Sequence, residues 1–424
     1  MYQSPIALEP PLPPQAYCDP AHAELENRHV FHTAWHLVST RSRLQEHGAY
    51  ATQTIFDVPV VVRNFNGELV ALRNVCAHRQ AIIARKPHGC SPTLKCPYHG
   101  WEYGSDGKTR KLPGATNFPK FKHNEYCLDK FEVDVCGDLV FVRLSPTGPT
   151  LREWIGQNFD QYEKWFSVPD WAQSMEARFD IDANWKIPVE GSLESYHIPC
   201  VHPKTFYEDP GESRSTHHFF PTGTSFDTSF MALRWIDRRV RDLERVVLRV
   251  IGLPYTGEYE HHHIYPHLLI SHTDTVSVAQ VVYPKDENHC FTVAIQYGLE
   301  PKKKSWWRTR ITRAFGKFTA WLTRTILAED RDVFPLVQQG VRGASRTGIL
   351  GRCEERLYGL QKYVADRIAD AETHSSDSVL EVSPAALACD LNGENGCHEV
   401  DLRDTHSESV LATARVESIR REAE

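Results

Sequence analysis

The sequence predicts an α+β protein, in which an all-β N-terminal domain precedes a domain of antiparallel strands and a long helix. Three observations support this prediction. Short β-branched and aromatic runs, separated by turn residues, fill much of 37–148. Similar runs recur between residues 215 and 298. Apolar residues then recur every three or four positions over 302–328, which indicates one amphipathic helix.

These patterns divide the chain into four parts. We expect a helical segment at 1–36 that packs on the second domain, the β domain at 37–148, the second domain at 149–370, and an acidic, mobile tail at 371–424. The strands expected in the β domain cover 50–56, 59–63, 69–74, 131–135 and 139–144. Those expected in the second domain cover 226–233, 246–251, 261–270, 276–283 and 290–297.

Composition and charge exclude several classes of protein. The 11 cysteines are scattered and odd in number, and the N-terminus lacks the plan of a signal peptide, so we expect reduced thiols and a cytoplasmic location. No run approaches the ~18 apolar residues of a membrane span, so we expect no membrane partner. The net charge of −7 comes from 371–424, where 12 acidic residues face four arginines. The near-neutral remainder argues against a nucleic-acid partner.

Two mixed pairs of metal-binding residues lie in the β domain: Cys76 with His78, and Cys96 with His99. A [2Fe–2S] cluster of the Rieske type takes two cysteine sulfurs on one iron and two histidine nitrogens on the other. A structural zinc site uses the same ligand types, but its pairs usually join Cys with Cys and His with His. The ligand order therefore favours a Rieske cluster, which accepts and passes on single electrons.

A second group of candidate ligands lies in the second domain. Glu194 and His197 are three residues apart, so on a helix they would share one face, and a turn at Pro199 would bring His202 to the same point. Two imidazoles and a carboxylate suit a mononuclear Fe(II) site that leaves positions open for O2 and substrate. Two ordinary core histidines are the alternative interpretation, but the upstream cluster needs an acceptor for its electrons.

The residues around both groups resemble a known family. Segments 74–79 and 96–103 are similar to the ligand loops of Rieske non-haem iron oxygenases, with one departure at Gln80, where the family commonly has Gly. Segments 184–186 and 194–203 resemble the catalytic domain of the same family. The resemblance implies an oxygenase alpha subunit, whose second domain is a curved antiparallel sheet over a long C-terminal helix, the helix-grip arrangement.

The resemblance also implies roles for single residues. His197 and His202 would bind iron, and Glu194 would bridge His99 of a neighbouring subunit to His197. The family usually has Asp at the bridge, and Glu is similar to the choline and carnitine monooxygenase group, which acts on quaternary ammonium compounds.

The third iron ligand is expected in the predicted helix near residue 330. A Glu-Asp pair followed by a Gln is typical of the family at this point, and Glu329, Asp330 and Gln338 match it. We favour Asp330 as the ligand, with Asp332 as the alternative. Glu329 would then be an ordinary charged helix position.

In the family that the chain resembles, electrons pass between the subunits of a trimer, and the resemblance therefore implies a head-to-tail homotrimer. The chain has neither a GxGxxG fingerprint nor a plant-type ferredoxin cysteine pattern, so NAD(P)H would act through a separate reductase or ferredoxin. The basic face of the helix over 302–328 is best interpreted as a solvated face. A membrane-surface contact and the docking of an acidic electron donor are the alternatives.

Together these expectations describe an oxygenase that activates O2 and hydroxylates or demethylates a small organic substrate. The glutamate bridge favours a quaternary amine, whereas a likeness to phenylpropionate-type dioxygenases favours ring hydroxylation of an aromatic acid. Monooxygenation and dioxygenation both stay open. A Rieske electron carrier without oxygenase chemistry is the alternative from another class.

Two further sets of residues are candidates for the substrate pocket. Trp235, Tyr255 and Tyr259 are suitable for a cation–π cage, although each suits a core or an apolar pocket wall equally well. The triplet 261–263 is all histidine, but strand alternation sends the central ring to the opposite face, so we expect pocket-lining or surface roles instead of metal binding.

Overall fold

Two large antiparallel sheets organise the part of the chain that a computed structural model describes. That part comprises residues 1–4, 8–122, 125–168, 170–203, 205, 209–229, 235–301 and 305–375. The predicted tail lies outside it from residue 376 onward, and the five residues before that point belong to the last helix.

The N-terminal segment forms short helical pieces that pack on the second domain. Helix α1 (Pro20–Glu26) begins where the Asp19 side chain accepts the N–H of Ala21, with proline at the first helical position. A single π-helical turn, Asn27–Phe31, follows directly. Phe31 is buried against Trp185 of the second domain, with ring centroids 4.7 Å apart. The segment is therefore helical, although it is divided into several pieces.

The first large sheet forms the β domain, and its described strands run in the order β1-β10-β9-β4-β3-β2-β5, beside a small sheet β6-β7-β8. Asn66 and Gly67, with φ of 56° and 100°, form the tight turn expected between two of these strands. The strands are β1 (Trp35–Thr40), β2 (Ala49–Ile55), β3 (Val58–Phe65), β4 (Glu68–Arg73), β5 (His88–Cys90), β6 (Leu94–Lys95), β7 (Glu102–Tyr103), β8 (Thr109–Lys111), β9 (Lys130–Cys136) and β10 (Leu139–Arg143).

The second large sheet has the described order β11-β17-β16-β15-β14-β13-β12, in which each strand is antiparallel to its neighbours. Its strands are β11 (Trp171–Ile181), β12 (Thr216–Phe220), β13 (Gly223–Ser229), β14 (Glu258–Ile264), β15 (Leu268–Thr273), β16 (Val276–Asp286) and β17 (His289–Leu299). The sheet and the long helix against it confirm the predicted fold class.

Helices connect and cover the second sheet. The long one, α7, has 38 residues and contacts β11 and β17. Helices α6 and α8 have 17 and 21 residues, and the others are short. No helix among the described residues is both long and apolar enough to cross a bilayer. The helices after α1 are α2 (Leu151–Ile155), α3 (Phe159–Trp165), α4 (Lys186–Ser192), α5 (Ile198–Val201), α6 (Trp235–Ile251), α7 (Trp306–Gly343) and α8 (Glu355–Ser375).

Two expected strands of the second domain were wrong. Residues 246–251 belong to α6, where Val247, Leu248 and Ile251 are buried at helical spacing. Residues 261–270 form parts of two strands, because a turn separates β14 from β15.

The two large sheets share one hydrophobic core. Leu37 and Phe141 of the first sheet belong to the same buried cluster as Tyr283 and Tyr297 of the second. The Tyr283 hydroxyl donates to the carbonyl of Leu37, and the Tyr297 hydroxyl donates to Asp138 Oδ2 at 2.7 Å. This shared core fixes the position of one sheet against the other.

Candidate functional site

The two Cys-His pairs lie on two loops with the same backbone turn. In each loop, the N–H four residues after the cysteine donates to the cysteine carbonyl: Gln80 to Cys76 at 2.9 Å, and Gly100 to Cys96 at 3.1 Å. Gln80 and Gly100 have φ of 57° and 76°. Glycine adopts this left-handed conformation without steric cost, which explains why it is common where this chain has Gln80.

The two candidate sulfur ligands are buried. Cys76 and Cys96 are each 2% exposed and belong to one apolar cluster. Burial raises the pKa of the Cys76 thiol, and the neighbouring Cys96 adds to this rise. The hydroxyl of Tyr103 lies 3.0 Å from Cys76 Sγ and accepts the N–H of Ala77 at 3.1 Å. Tyr103 therefore fixes both the sulfur and the start of its loop.

The two candidate imidazole ligands lie side by side. The ring centroids of His78 and His99 are 4.5 Å apart. The ring of His78 stacks on Trp101 at 4.8 Å, while His99 is exposed. The Nδ1 atom of His78 is enclosed and has no hydrogen-bond partner among the described residues. An enclosed nitrogen without a partner fits a metal ligand, so these side chains fit a [2Fe–2S] cluster.

The structure brings His197, His202 and Asp330 together. One donor atom of each lies within 4.8 Å of the others. Asp330 Oδ1 is 2.9 Å from His202 Nε2 and 3.6 Å from His197 Nε2. The alternative ligand, Asp332, does not join this group, because its side chain is 75% exposed and lies 3.5 Å from Arg331. Two imidazoles and one carboxylate on one side of a site fit a mononuclear iron(II) ion.

The backbone around these histidines differs from the helix expected there. Helix α4 ends at Ser192, and α5 begins only at Ile198. Glu194 and His197 instead lie in the turn between them, where the His197 N–H donates to Glu194 Oε2 at 3.0 Å. The three-residue spacing still brings the two side chains together, because the Glu194 carboxylate bonds to both the backbone N–H and the ring of His197.

Each candidate iron-binding imidazole is held at Nδ1 by a glutamate. Glu194 bonds to His197 Nδ1, and Glu329 lies 2.9 Å from His202 Nδ1. Glu329 also accepts the hydroxyl of Thr205 at 2.5 Å. A carboxylate at Nδ1 fixes the tautomer and leaves Nε2 available to a metal. The interpretation of Glu329 as an ordinary charged helix position was therefore wrong.

The negative charge around His202 favours the binding of a cation. Burial alone would lower the pKa of His202, but the bonds to Asp330 and Glu329 outweigh it and raise that pKa. Two carboxylates around one buried imidazole thus favour positive charge, which a divalent ion supplies as well as a proton does.

A cavity of about 240 Å³ adjoins these residues. Arg241 and Glu244 line it and form an ion pair of 2.7 Å, in which buried Glu244 also accepts the hydroxyl of Thr275 at 2.7 Å. Much of the remaining wall is apolar and comes from β16 and α7. These apolar residues are Val276, Val278, Phe315, Leu322, Ile326 and Leu327.

Some of the residues that the sequence suggested for the substrate pocket line the cavity, and others do not. Tyr259 and His261 line it, whereas Trp235 is 73% exposed and Tyr255 is not part of the described lining. His262 lies on the other face of its strand, where its ring packs edge-on against Trp165 at 5.3 Å. The alternation expected for the histidine triplet is therefore present.

Sequence reasoning missed three residues of these sites: Tyr103, Glu329 and Arg241. Tyr103 lies within the second ligand loop, so its position was a usable signal. Glu329 belongs to the Glu-Asp signature, but its role was missed because its partner His202 is 127 residues away. Arg241 belongs to the helix α6, whose end was mistaken for a strand.

Two family models match the chain. Residues 34–122 match the Rieske [2Fe-2S] domain, and residues 168–370 match the catalytic domain of ring-hydroxylating alpha subunits. These matches confirm the predicted combination of a Rieske cluster and a mononuclear iron as cofactors.

Relatives include both amine and aromatic oxygenases. The chain is 27% identical over 214 residues to the glycine betaine monooxygenase oxygenase subunit of Pseudomonas aeruginosa, which covers 49% of each chain. It is 29% identical over 209 residues to chloroplastic choline monooxygenase of Beta vulgaris, covering 46% of this chain and 47% of the relative. It is also 27% identical to toluate 1,2-dioxygenase subunit alpha of Pseudomonas putida, covering 44% and 43%. The chain thus spans about half the length of the curated relatives it matches.

Solved structures show the same fold. The quaternary ammonium Rieske monooxygenase CntA, in complex with L-carnitine, matches with a TM-score of 0.68 at 17% identity, over 84% of this chain and 94% of that one. Naphthalene 1,2-dioxygenase with bound indole matches with a TM-score of 0.64 at 17% identity, over 90% and 100%. With both domains matched and this fold in common, the chain belongs to the Rieske oxygenase family, as an alpha subunit.

Proposed function

We propose that this protein is the oxygenase component of a Rieske system, which hydroxylates or demethylates a small organic substrate. Electrons come from NAD(P)H through a separate reductase or ferredoxin. The observation that supports this proposal is the convergence of His197, His202 and Asp330 beside the cavity. In this proposal Cys76, His78, Cys96 and His99 hold the cluster. A bound iron(II) ion supplies O2 activation, and the cluster supplies single electrons.

The residues around the candidate iron site favour metal binding. Glu194 and Glu329 keep the protons of His197 and His202 on Nδ1, so that both Nε2 atoms carry a lone pair. Asp330 adds one negative charge, and the cavity beside it offers the substrate a partly apolar wall.

Iron analysis tests this function against the alternative of an electron carrier. The oxygenase should contain three irons per chain, two in the cluster and one at the second site. The His202→Ala variant should contain two irons, keep the visible absorption of the cluster and lose turnover. A wild-type protein with two irons and full cluster absorption would contradict the proposal and favour the carrier.

We further propose a head-to-tail homotrimer in which His99 of one chain approaches Glu194 of the partner subunit. His99 is exposed, and Glu194 lies beside Tyr196, which is 69% exposed. Because electrons enter at one site and are used at the other, a contact of this kind would join the cluster of each subunit to the iron of the next.

The Glu194→Gln variant tests the bridge. Both metal sites should stay loaded, because Glu194 is not a ligand, but substrate oxidation should fall at least about 100-fold with the charged hydrogen bond removed. Stopped-flow absorption of the reduced cluster, mixed with O2 and substrate, measures the transfer directly. Glu194→Asp should recover part of the rate, and a normal rate in Glu194→Gln would end the bridging role.

For the substrate we propose a quaternary amine, in line with the relatives that act on betaine and choline. An aromatic acid is the second candidate. A relative that acts on an aromatic acid, toluate 1,2-dioxygenase, favours it. Turnover with a surrogate reductase distinguishes them: demethylation of an amine releases formaldehyde, whereas an aromatic acid gives a hydroxylated ring.

The location and domain limits belong to the same proposal. None of the nine cysteines of the described part forms a disulfide, which suits the cytoplasm. The limits 37–148 and 149–370 assign one metal site to each domain.

A further inference from the structure

A second group of metal-binding side chains lies on the face of the second large sheet that is opposite the cavity. Asp227 of β13 and Glu260 of β14 are direct cross-strand partners. Like charges in this arrangement repel each other and destabilise a sheet. One donor atom each of Asp227, Glu260 and His262 nevertheless lies within 4.8 Å of the other two. Something positive at this point would remove the repulsion.

One histidine lies beside each of the two carboxylates. The side chain of His262 is 4% exposed, and its Nε2 lies 3.2 Å from Glu260 Oε2. His218 of β12 lies with Nε2 2.8 Å from Asp227 Oδ2. The Nδ1 atom of His262 is enclosed and has no partner among the described residues. Among those residues, Glu260 is therefore the one hydrogen-bond partner of this buried ring.

Strand geometry separates this cluster from the iron position. Glu260 and His262 are two residues apart on β14 and therefore share one face. Tyr259 and His261 alternate with them on the same strand and line the substrate cavity. The cluster and the candidate iron ligands thus lie on opposite faces of one sheet.

We propose that Asp227, Glu260 and His262 bind a divalent transition-metal ion such as Zn²⁺. His218, which bonds to Asp227 at 2.8 Å, would orient this ligand. Two carboxylates and imidazole nitrogen are donors that Zn²⁺ accepts in tetrahedral sites, and its two charges neutralise those of the facing carboxylates. The side chains of Asp227 and Glu260 are 43% and 28% exposed, so an ion can enter from solvent. The ion would join β13 and β14, and β14 also lines the cavity.

Zinc titration of the full chain tests this site. The protein used carries its [2Fe–2S] cluster, and the double substitution His197→Ala and His202→Ala removes the candidate iron site. Zn²⁺ is then the only metal added as a probe. Isothermal titration calorimetry should show one Zn²⁺ bound per chain. Asp227→Asn and His262→Gln should each weaken binding at least about tenfold, since each removes one ligand. Co²⁺ at the same site should give visible d–d absorption, which both variants lose.

A matched control is available on the β16–β17 hairpin. Asp286 and His289 form a carboxylate–imidazole pair of 2.8 Å, but they belong to no three-donor group in the described chain. Asp286→Asn should leave the zinc affinity unchanged. Lack of binding at micromolar Zn²⁺, or equal loss in all three variants, would overturn the proposal. Neither result would affect the oxygenase function, because the first site is absent from the test.

Discussion

At the scale of single residues, the candidate iron site depends on the groups behind the ligands. His197 and His202 each have one nitrogen toward the site and the other on a glutamate. A glutamate in this position raises the basicity of the imidazole and fixes its orientation. Glu329 and Asp330 are adjacent in sequence, so one turn of helix α7 provides a ligand and the support of another ligand.

Glu329→Gln should weaken iron binding at the mononuclear site by about 10- to 100-fold, because the amide is a poorer acceptor for the N–H of His202. Iron content after dialysis against a chelator measures the loss, and cluster absorption should not change. Asp332→Asn, three residues on and exposed, is the matched control. Equal iron content in the two variants would contradict this role of Glu329.

Tyr103→Phe tests a residue at the cluster. The variant removes the hydroxyl beside Cys76 Sγ, which stabilises the extra negative charge of the reduced state. A hydrogen bond of about 1 kcal/mol corresponds to roughly 40 mV for one electron, so the reduction potential should fall by that amount. A redox titration followed by absorption measures the change. Tyr98→Phe, an exposed ring in the same loop, should leave the potential as it is.

At the scale of secondary structure, helix α7 connects the site with the N-terminal segment. Ser305 caps it by accepting the N–H of Arg308. Gln338, two turns after Asp330, is 3% exposed and accepts the N–H of Asn184 at 2.8 Å. Its amide also donates to the Tyr17 carbonyl at 3.0 Å. One side chain thus joins the helix to the segment before α4 and to the N-terminal segment.

Gln338→Ala should lower the free energy of unfolding by about 1–3 kcal/mol, because it leaves buried backbone groups of Asn184 and Tyr17 without partners. Urea unfolding followed by circular dichroism measures the change. Gln339→Ala is the control, since that neighbouring side chain is exposed and should cost less than about 0.5 kcal/mol. Similar losses in both variants would indicate an effect of helix propensity alone.

Secondary structure was predictable where one short pattern decided it. The strands of the β domain and the turn at Asn66-Gly67 follow from local residues. Residues 246–251 were assigned to a strand because six residues of mixed apolar type fit either structure. The helix becomes evident only over a longer window, in which buried Glu244 and Val247 continue the spacing toward Ile251. The role of Glu329 needed the fold, because no sequence pattern relates it to His202.

At the scale of the whole molecule, three neutral histidines lie in or beside the shared core. Burial lowers the pKa of His36 and of His263 to about 3 and that of His267 well below its usual value. The rings of His36 and His267 stack at 5.0 Å, and His36 also packs on Tyr283. His32, His36 and His263 are the titratable neighbours that lower these values further, together with Arg356 beside His263.

Stability should therefore fall as the pH decreases below about 6.5. The unfolded chain binds protons at these histidines near their ordinary pKa, whereas the folded protein does not, so acid favours unfolding. Between pH 7.5 and 5.5 the three groups together should cost about 4 kcal/mol. Urea unfolding at both pH values measures this. His267→Phe should reduce the pH effect by about 1.4 kcal/mol, and a variant of exposed His289 should retain it in full.

The core that joins the two sheets also limits how such enzymes can be recombined. Tyr283 and Tyr297 bond to Leu37 and Asp138 across the boundary between the domain of the Cys-His pairs and the domain of the candidate iron site. A chimaera that takes only the ligand loops from another enzyme keeps these contacts. A chimaera that exchanges the entire first domain must also bring residues that bond to Tyr283 and Tyr297. Otherwise the interface between the two sheets loses these contacts.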